Sequence, residues 1–462
     1  MKKTLSFLVC MGLALSACGL KVPATIVAGS DAELNGITDP ADAAAIDPAT
    51  GDVLDPTVID PVLGETVEGP VAGDSIFNLE REGVTRDKIT ICAHVPITGA
   101  APIQHHPNRF GQFYFDAVNA EQGGVYGREV VFRAIDDQYY PAGARAAMEQ
   151  CAREGAFIYF GAAGTDQIVS VAKWAETKRV PYIHGPSSDK DMAGLHYNVF
   201  AGPSYEYQHK LLARYLVKRY GKDQVFGTVH VASPFFESGA KAFADELKKL
   251  GAQHAVTIQV QKDESQFSNV FFQLQNAEVD IVNNFTTPNI WIKMLNQKPP
   301  TYDPIWTAVS PVAGFNIVSA ALAGANADAV VFHNFGPACE CQTYTEAIPP
   351  PKSLPWYDDI QEFLRVFKKY SPEKDPAPDD FDYSSYLAAK GVHRLLLELG
   401  KDPTRTKLFE LFDSYKEKPA DVYPGCAADF TRGSSRVGAW RVNVFDLANG
   451  VWKQTESCID SV

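Results

Sequence analysis

From about residue 84 onward, the apolar positions of this chain alternate between two periods. Short runs rich in β-branched and aromatic residues, Ile89–Val95, Val130–Ile135, Phe157–Phe160 and Val180–His184, have the length of buried strands. Between them apolar residues recur at helical spacing. Phe110, Phe113, Tyr114, Ala117 and Val118 fall at i, i+3, i+4, i+7 and i+8, one face of a helix that Gly123-Gly124 then stops. Further helices are predicted over Ala142–Glu154 and from about Gln167 to Lys178. After Gly202-Pro203 the alternation restarts, with a helix near Tyr205–Tyr220 ahead of Val225–Val231 and more units through Ile281–Phe285 and Val330–His333. Strands alternating with helices imply an α/β fold of parallel sheets with helices on both faces. Two such series predict two Rossmann-like lobes with a crevice between them.

The first 74 residues do not share this pattern. Lys2-Lys3 is followed by an apolar run, Leu5 to Leu15, which is shorter than the ~20 residues that span a bilayer and suits a signal peptide. The run ends in Leu15-Ser16-Ala17-Cys18, which resembles the lipobox of bacterial lipoproteins. That resemblance implies cleavage before Cys18, residues 1–17 being the signal peptide, and a diacylglycerol on the Cys18 sulfur. Residues 19–74 then hold eleven Asp or Glu, one Lys and no aromatic residue, with four Asp-Pro pairs. So little apolar surface cannot offset the entropy of ordering, and 18–75 is expected to be an acidic, disordered tether with a reach of roughly 40 Å. Of the formal charge of −14, the signal contributes +2, the tether −10 and the remainder −6. The folded part is therefore only mildly acidic. It shows no basic stripe, and a nucleic-acid partner is not expected. No later segment is apolar for long enough to span a membrane, so the lipid is the expected anchor, on an exported protein of the cell envelope facing the periplasm or exterior.

Three segments in order carry a more specific resemblance: Pro96-Ile97-Thr98-Gly99, then Asn119-Ala120-Glu121-Gln122-Gly123-Gly124-Val125-Tyr126-Gly127-Arg128, then Asp136-Asp137. With Gly161–Asp166, Val180–Ser188, Tyr383–Gly400 and Ala439–Phe445, they resemble the Leu/Ile/Val-type periplasmic solute-binding proteins of ABC importers, over roughly residues 84–456. The resemblance implies the type I two-lobed fold joined by three crossovers, near Pro203, Phe335 and Gly438. Lobe 1 would comprise 84–203 plus 334–437, and lobe 2 would comprise 204–333 plus 438–462. It implies a small-molecule ligand, permease subunits as partners, a monomer, and neither cofactor nor catalysis. A ligand-sensing receptor subunit would use the same fold.

Ligands of open α/β sheets lie beyond the carboxyl ends of the strands. In lobe 1, Phe160-Gly161-Ala162-Ala163-Gly164-Thr165-Asp166 closes a strand and opens a helix whose amino end favours a carboxylate. His184-Gly185-Pro186-Ser187-Ser188 follows the next strand in the same way. The family's carboxylate-holding positions fall here on Thr165, Pro186 and Ser188, with Gln104 in the loop after the first strand. Thr165 and Asp166 also suit a helix cap, and the two roles are compatible. In lobe 2, Phe235-Phe236-Glu237 stands where the family commonly has a Tyr before a Gly-rich turn, and Asn284-Phe285-Thr286-Thr287 forms the next contact loop. Phe236, Phe285, Thr286 and Trp306 are the candidates there. The family's acid for a ligand ammonium is replaced by Val309 or Ser310. A buried ammonium without a partner is costly, so the expected ligand is an organic acid with an apolar or aromatic body. The same aromatic residues would also serve as ordinary core.

Gln104-His105-His106-Pro107 lacks further ligands at metal spacing, and the chain has no G-x-S-x-G, H-E-x-x-H or P-loop motif. Besides Cys18, the mature chain carries Cys92, Cys151, Cys339, Cys341, Cys426 and Cys458. An even number in an exported chain points to disulfides. Cys92–Cys151 is the expected early bridge. Cys339 and Cys341 are too close to pair without strain; if the four late cysteines pair among themselves, that leaves 339–426 with 341–458 or 339–458 with 341–426.

Overall fold

The computed structural model describes residues 80–99, 111–161, 164–185, 187–200, 202–309, 315–333, 357–371, 380–416, 441–448 and 451–462, together with 350, 352, 378, 426, 429–431 and 436–437. The signal peptide, the tether with Cys18, and Gln104, Pro186, Cys339 and Cys341 lie outside these residues.

The first series runs β1 (Lys88–Val95), α1 (Gln112–Gln122), β2 (Glu129–Asp136), α2 (Pro141–Arg153), β3 (Ile158–Gly161), α3 (Thr165–Lys178), β4 (Tyr182–His184), α4 (Asp189–Met192) and β5 (Asn198–Phe200). A second follows: α5 (Tyr205–Tyr220), β6 (Val225–Val231), α6 (Pro234–Leu250), β7 (Gln253–Val260), α7 (Ser268–Asn276), β8 (Ile281–Phe285), α8 (Pro288–Leu295), β9 (Ile305–Val309), α9 (Phe315–Gly324) and β10 (Ala329–His333). Then come α10 (Tyr357–Tyr370), α11 (Asp380–Leu399), α12 (Arg405–Ser414), β11 (Arg436–Val437), β12 (Val442–Ala448) and β13 (Val451–Ile459).

Two sheets result, in the orders β11-β5-β4-β3-β1-β2 and β13-β12-β10-β9-β8-β6-β7. The first is parallel throughout. The second is parallel from β7 to β10, and the late strands β12 and β13 close its edge antiparallel. The chain passes from one sheet to the other after β5, after β10 and after β11. This is the two-lobed α/β architecture of type I periplasmic binding proteins.

Local signals set the boundaries. Gly123 ends α1 in the left-handed region at φ 72, a conformation that L-residues with a Cβ avoid. Ser204 caps α5 by accepting from the Tyr207 amide, and Thr404 caps α12 by accepting from Lys407. Because both faces of the first sheet are covered, neighbours along β1 bury in opposite directions. Ile91 packs with Phe115, Phe157 and Leu396, whereas Cys92 packs with Met148, Val171 and Trp174.

Cys92 and Cys151 join β1 to α2 with Cα atoms 5.8 Å apart. The late cysteines correct the sequence expectation. Cys426 pairs with Cys458 across a Cα separation of 5.3 Å, which excludes both connectivities drawn from spacing alone. Counting residues between cysteines could not show that Cys426 lies against the end of β13. Replacing Cys92 and Cys151 with alanine should cost about 2–4 kcal/mol. Non-reducing peptide mapping should recover the linked pairs 92–151 and 426–458; a 341–458 or 339–426 peptide would contradict this pairing.

Candidate functional site

Strand order decides where a ligand can enter. In the first sheet β1 lies between β2 and β3, and in the second β6 lies between β7 and β8. Chain leaving β1 turns one way and chain leaving β3 the other, so a crevice opens past their carboxyl ends; β6 and β8 repeat the arrangement.

Beneath the first crevice lies a buried polar chain. His94 Nδ1 is 2.7 Å from Asp137 Oδ2, and His94 Nε2 is 2.7 Å from the Tyr182 hydroxyl, all three residues being fully buried. A carboxylate only accepts, so Nδ1 donates to Asp137, while Nε2 lies within hydrogen-bond distance of the Tyr182 hydroxyl. Neighbouring Asp136 accepts from the amides of Ile97, Thr98 and Gln138 and from the Thr98 hydroxyl. The ends of β1, β2 and β4 are thereby tied together. His184 continues the row with Nδ1 at Gly185 O and Nε2 at Asn198 Oδ1. Burial pushes the His184 ring down to about 4, so it is neutral at ordinary pH.

Above this chain are the loops singled out in the sequence. Gly164 precedes α3 at φ 88, and Thr165 opens the helix. Thr165 is 7% exposed, and its hydroxyl lies 3.4 Å from that of Tyr205. Ser188 is engaged otherwise than expected: its hydroxyl accepts from the Asp191 amide at 3.2 Å and donates to Asp191 Oδ2 at 2.6 Å, capping α4. It is the preceding Ser187 whose buried hydroxyl has no partner among the described residues. Asp166 forms an ion pair with Lys262, which follows β7 of the other sheet, at 2.6 Å.

In the second lobe an aromatic cluster faces these loops. Phe236 and Phe285 stand 4.7 Å apart, Phe235 and Phe236 3.9 Å. Tyr205 joins them, 5.5 Å from Phe235 and 5.2 Å from Phe285. His209 lies 4.3 Å from Phe285 and donates from Nδ1 to Tyr205 O; burial lowers it to about 4. Ser233 occupies the cap position of α6 without capping it, and its buried hydroxyl has no partner among the described residues. Thr286 donates to Asn284 Oδ1 at 2.9 Å.

Thr165, Phe236 and Phe285 are thus brought together through Tyr205, with Thr286 directly after Phe285. Trp306 is not among them. It is the second residue of β9, in register with Val282 and Ala329 near the amino ends of the strands, and fully buried beside Trp291. It is a core residue, and the ambiguity between site and core resolves that way for it. Glu237 is exposed and accepts from Gln259. Tyr205, Ser187 and Ser233 were not singled out in the sequence. Tyr205 directly follows a crossover, and that position was the available signal.

The fold and its crevice define a two-lobed solute-binding protein. A profile of the periplasmic binding protein family matches residues 88–430, and the chain belongs to that family. No curated protein matches the sequence closely. Among solved structures, the chain is similar to a fatty acid ABC transporter substrate-binding protein from Thermomonospora curvata, at 17% identity and TM-score 0.67, over 83% of this chain and 95% of that one. It is similar to a branched-chain amino acid ABC transporter protein from Thermus thermophilus with bound valine, at 18% identity and TM-score 0.62, over 81% and 97%. A solute-binding protein of an ABC transporter from Rhodopseudomonas palustris BisB5, in complex with 3,4-dihydroxybenzoic acid, matches at 14% identity and TM-score 0.62, over 81% and 99%. These likenesses are of fold. Both family and neighbours are substrate-binding proteins.

Proposed function

We propose that the chain is the extracytoplasmic substrate-binding subunit of an ABC importer, held to the membrane by a lipid on Cys18, and that it captures a small organic acid with an apolar or aromatic body. Lobe 1 (84–203 plus 334–437) and lobe 2 (204–333 plus 438–462) would close on the ligand as a monomer and present it to permease subunits. One observation carries the ligand class: the hydroxyl-bearing start of α3 meets an aromatic cluster at the Thr165–Tyr205 contact. Hydroxyls and a helix amino end suit a carboxylate, and Phe235, Phe236 and Phe285 suit an apolar body, at ~25 cal/mol per Å² removed from water. Two of the structural neighbours, the fatty acid protein and the dihydroxybenzoate complex, are described with ligands of this kind. An ammonium would add donors where donors are already in excess.

Titration calorimetry of the full chain against leucine, phenylalanine and their deaminated analogues, with octanoate and 3,4-dihydroxybenzoate, is the test. The acids without an amino group should bind more tightly. At a hundredfold excess over Kd such a ligand should add ~2.7 kcal/mol of apparent stability. Tighter binding of the amino acids would overturn the ligand class.

A further inference from the structure

Tyr205 is divided between the lobes. Its ring packs with Phe235 and Phe285 of the second, while its amide donates to Ser187 O at 3.1 Å and its hydroxyl meets Thr165 in the first. Thr165, Ser187 and Tyr205 are 7%, 2% and 3% exposed, so all three hydroxyls are removed from bulk water.

Their hydrogen bonds do not balance. Each hydroxyl carries one hydrogen that needs an acceptor. The Thr165–Tyr205 contact satisfies one of the three, and the Ser187 hydroxyl has no partner among the described residues. Among the described residues no further acceptor serves them, which leaves two O–H donors in surplus. Burying a donor without an acceptor is costly, and an acceptor-only group removes the cost. Burial also holds the Tyr205 phenol far above its ordinary value, so it remains a donor at any working pH.

We propose that Tyr205 is a specificity-determining residue: its hydroxyl, with those of Thr165 and Ser187, donates to the ligand's carboxylate and selects it over neutral groups. This rests on the carboxylate reading of the crevice given above and assigns the selection to one side chain. Because the ring spans both lobes, the same phenol would carry the carboxylate contact across the first crossover.

The test is Tyr205→Phe in the full chain, which keeps the ring and removes the hydroxyl. The probes are octanoate and 3,4-dihydroxybenzoate, each against its primary amide, by titration calorimetry. The wild type should prefer the acids. Tyr205→Phe should weaken acid binding about tenfold or more, a charged acceptor having lost a donor, and amide binding by less than about threefold. Thr165→Val should reproduce that split, and it decides the question if Tyr205→Phe does not melt cooperatively. Equal loss for acid and amide, or no loss for either, overturns the role of Tyr205 while leaving the carboxylate reading standing. A wild type that binds neither acid overturns both.

Discussion

Replacing Arg405 with methionine should cost the fold about 3–5 kcal/mol, the expected penalty for removing one partner of a buried ion pair. Arg405 is 1% exposed and Glu82 fully buried, and Arg405 Nη2 donates to Glu82 Oε2 at 2.8 Å. The same nitrogen donates to Ala156 O at 2.6 Å. Around this pair, Thr406 donates to both oxygens of Glu80, and Arg81 to both oxygens of Asp402. The segment 80–82 is thus a brace holding the start of α12 against the chain that enters β3. Methionine preserves much of the bulk but leaves the buried Glu82 carboxyl and the Ala156 carbonyl without their Arg405 donor. The midpoint of urea unfolding should fall with little change in slope. An unshifted midpoint would mean that the pair contributes nothing net.

The same pair sets a pH dependence. Burial raises the Glu82 carboxyl to about 7, and the Arg405 guanidinium pulls the other way. A carboxyl raised in the folded state binds its proton more tightly there than in the unfolded chain. Its contribution to stability is therefore full below the ordinary carboxylate range and is lost as pH rises toward 7. In Glu82→Gln this contribution is absent, so wild type should gain on the variant as pH falls from 8 to 5. A constant difference across that range would show that Glu82 does not titrate there.

Much of the fold was legible because parallel strands buried on both faces read as short apolar runs, and helices between them keep a 3.6-residue period. α5 and β6, Tyr205–Tyr220 and Val225–Val231, begin and end where periodicity and Gly202-Pro203 set them. The disulfide partners of the late cysteines were not legible. Cys426, outside both strands, meets Cys458 of β13 beside Asn443 of β12, a long-range fact with no local signature.

The candidate site was legible as a place more than as atoms. Strand ends and Gly-rich loops marked where Thr165, Phe236 and Phe285 would stand. Which hydroxyl of Ser187-Ser188 remains unengaged depends on whether the following turn captures it, and Asp191 captures that of Ser188. Trp306 and Phe285 look alike as aromatic residues in consecutive strands. Position along the strand separates them: Phe285 ends β8, while Trp306 stands second in β9.

Gly161→Ala should destabilise the first lobe by about 2–5 kcal/mol and weaken binding of an organic acid at least about tenfold, through overpacking and a broken buried network. A Cβ at Gly161 would lie 2.1 Å from the Tyr182 hydroxyl and 2.9 Å from His94 Nε2. Neither side chain has room to retreat, since His94, Asp137 and Tyr182 are fully buried and bonded in series. The methyl must therefore part Tyr182 from His94, leaving a buried hydroxyl and a ring nitrogen unpaired, or move the end of β3. Thr165 stands four residues further on, so either response reaches the candidate site. Tyr182→Phe provides the internal control. It removes the closest of the atoms that the new methyl strikes, leaving the ring carbon Cζ at 2.8 Å, at the expense of one hydrogen bond to His94. The double variant should then be more stable than Gly161→Ala alone, a coupling of opposite sign to the single losses. Additive losses would show instead that Gly161 matters through its backbone, and that the Asp137–His94–Tyr182 chain does not fix the end of β3.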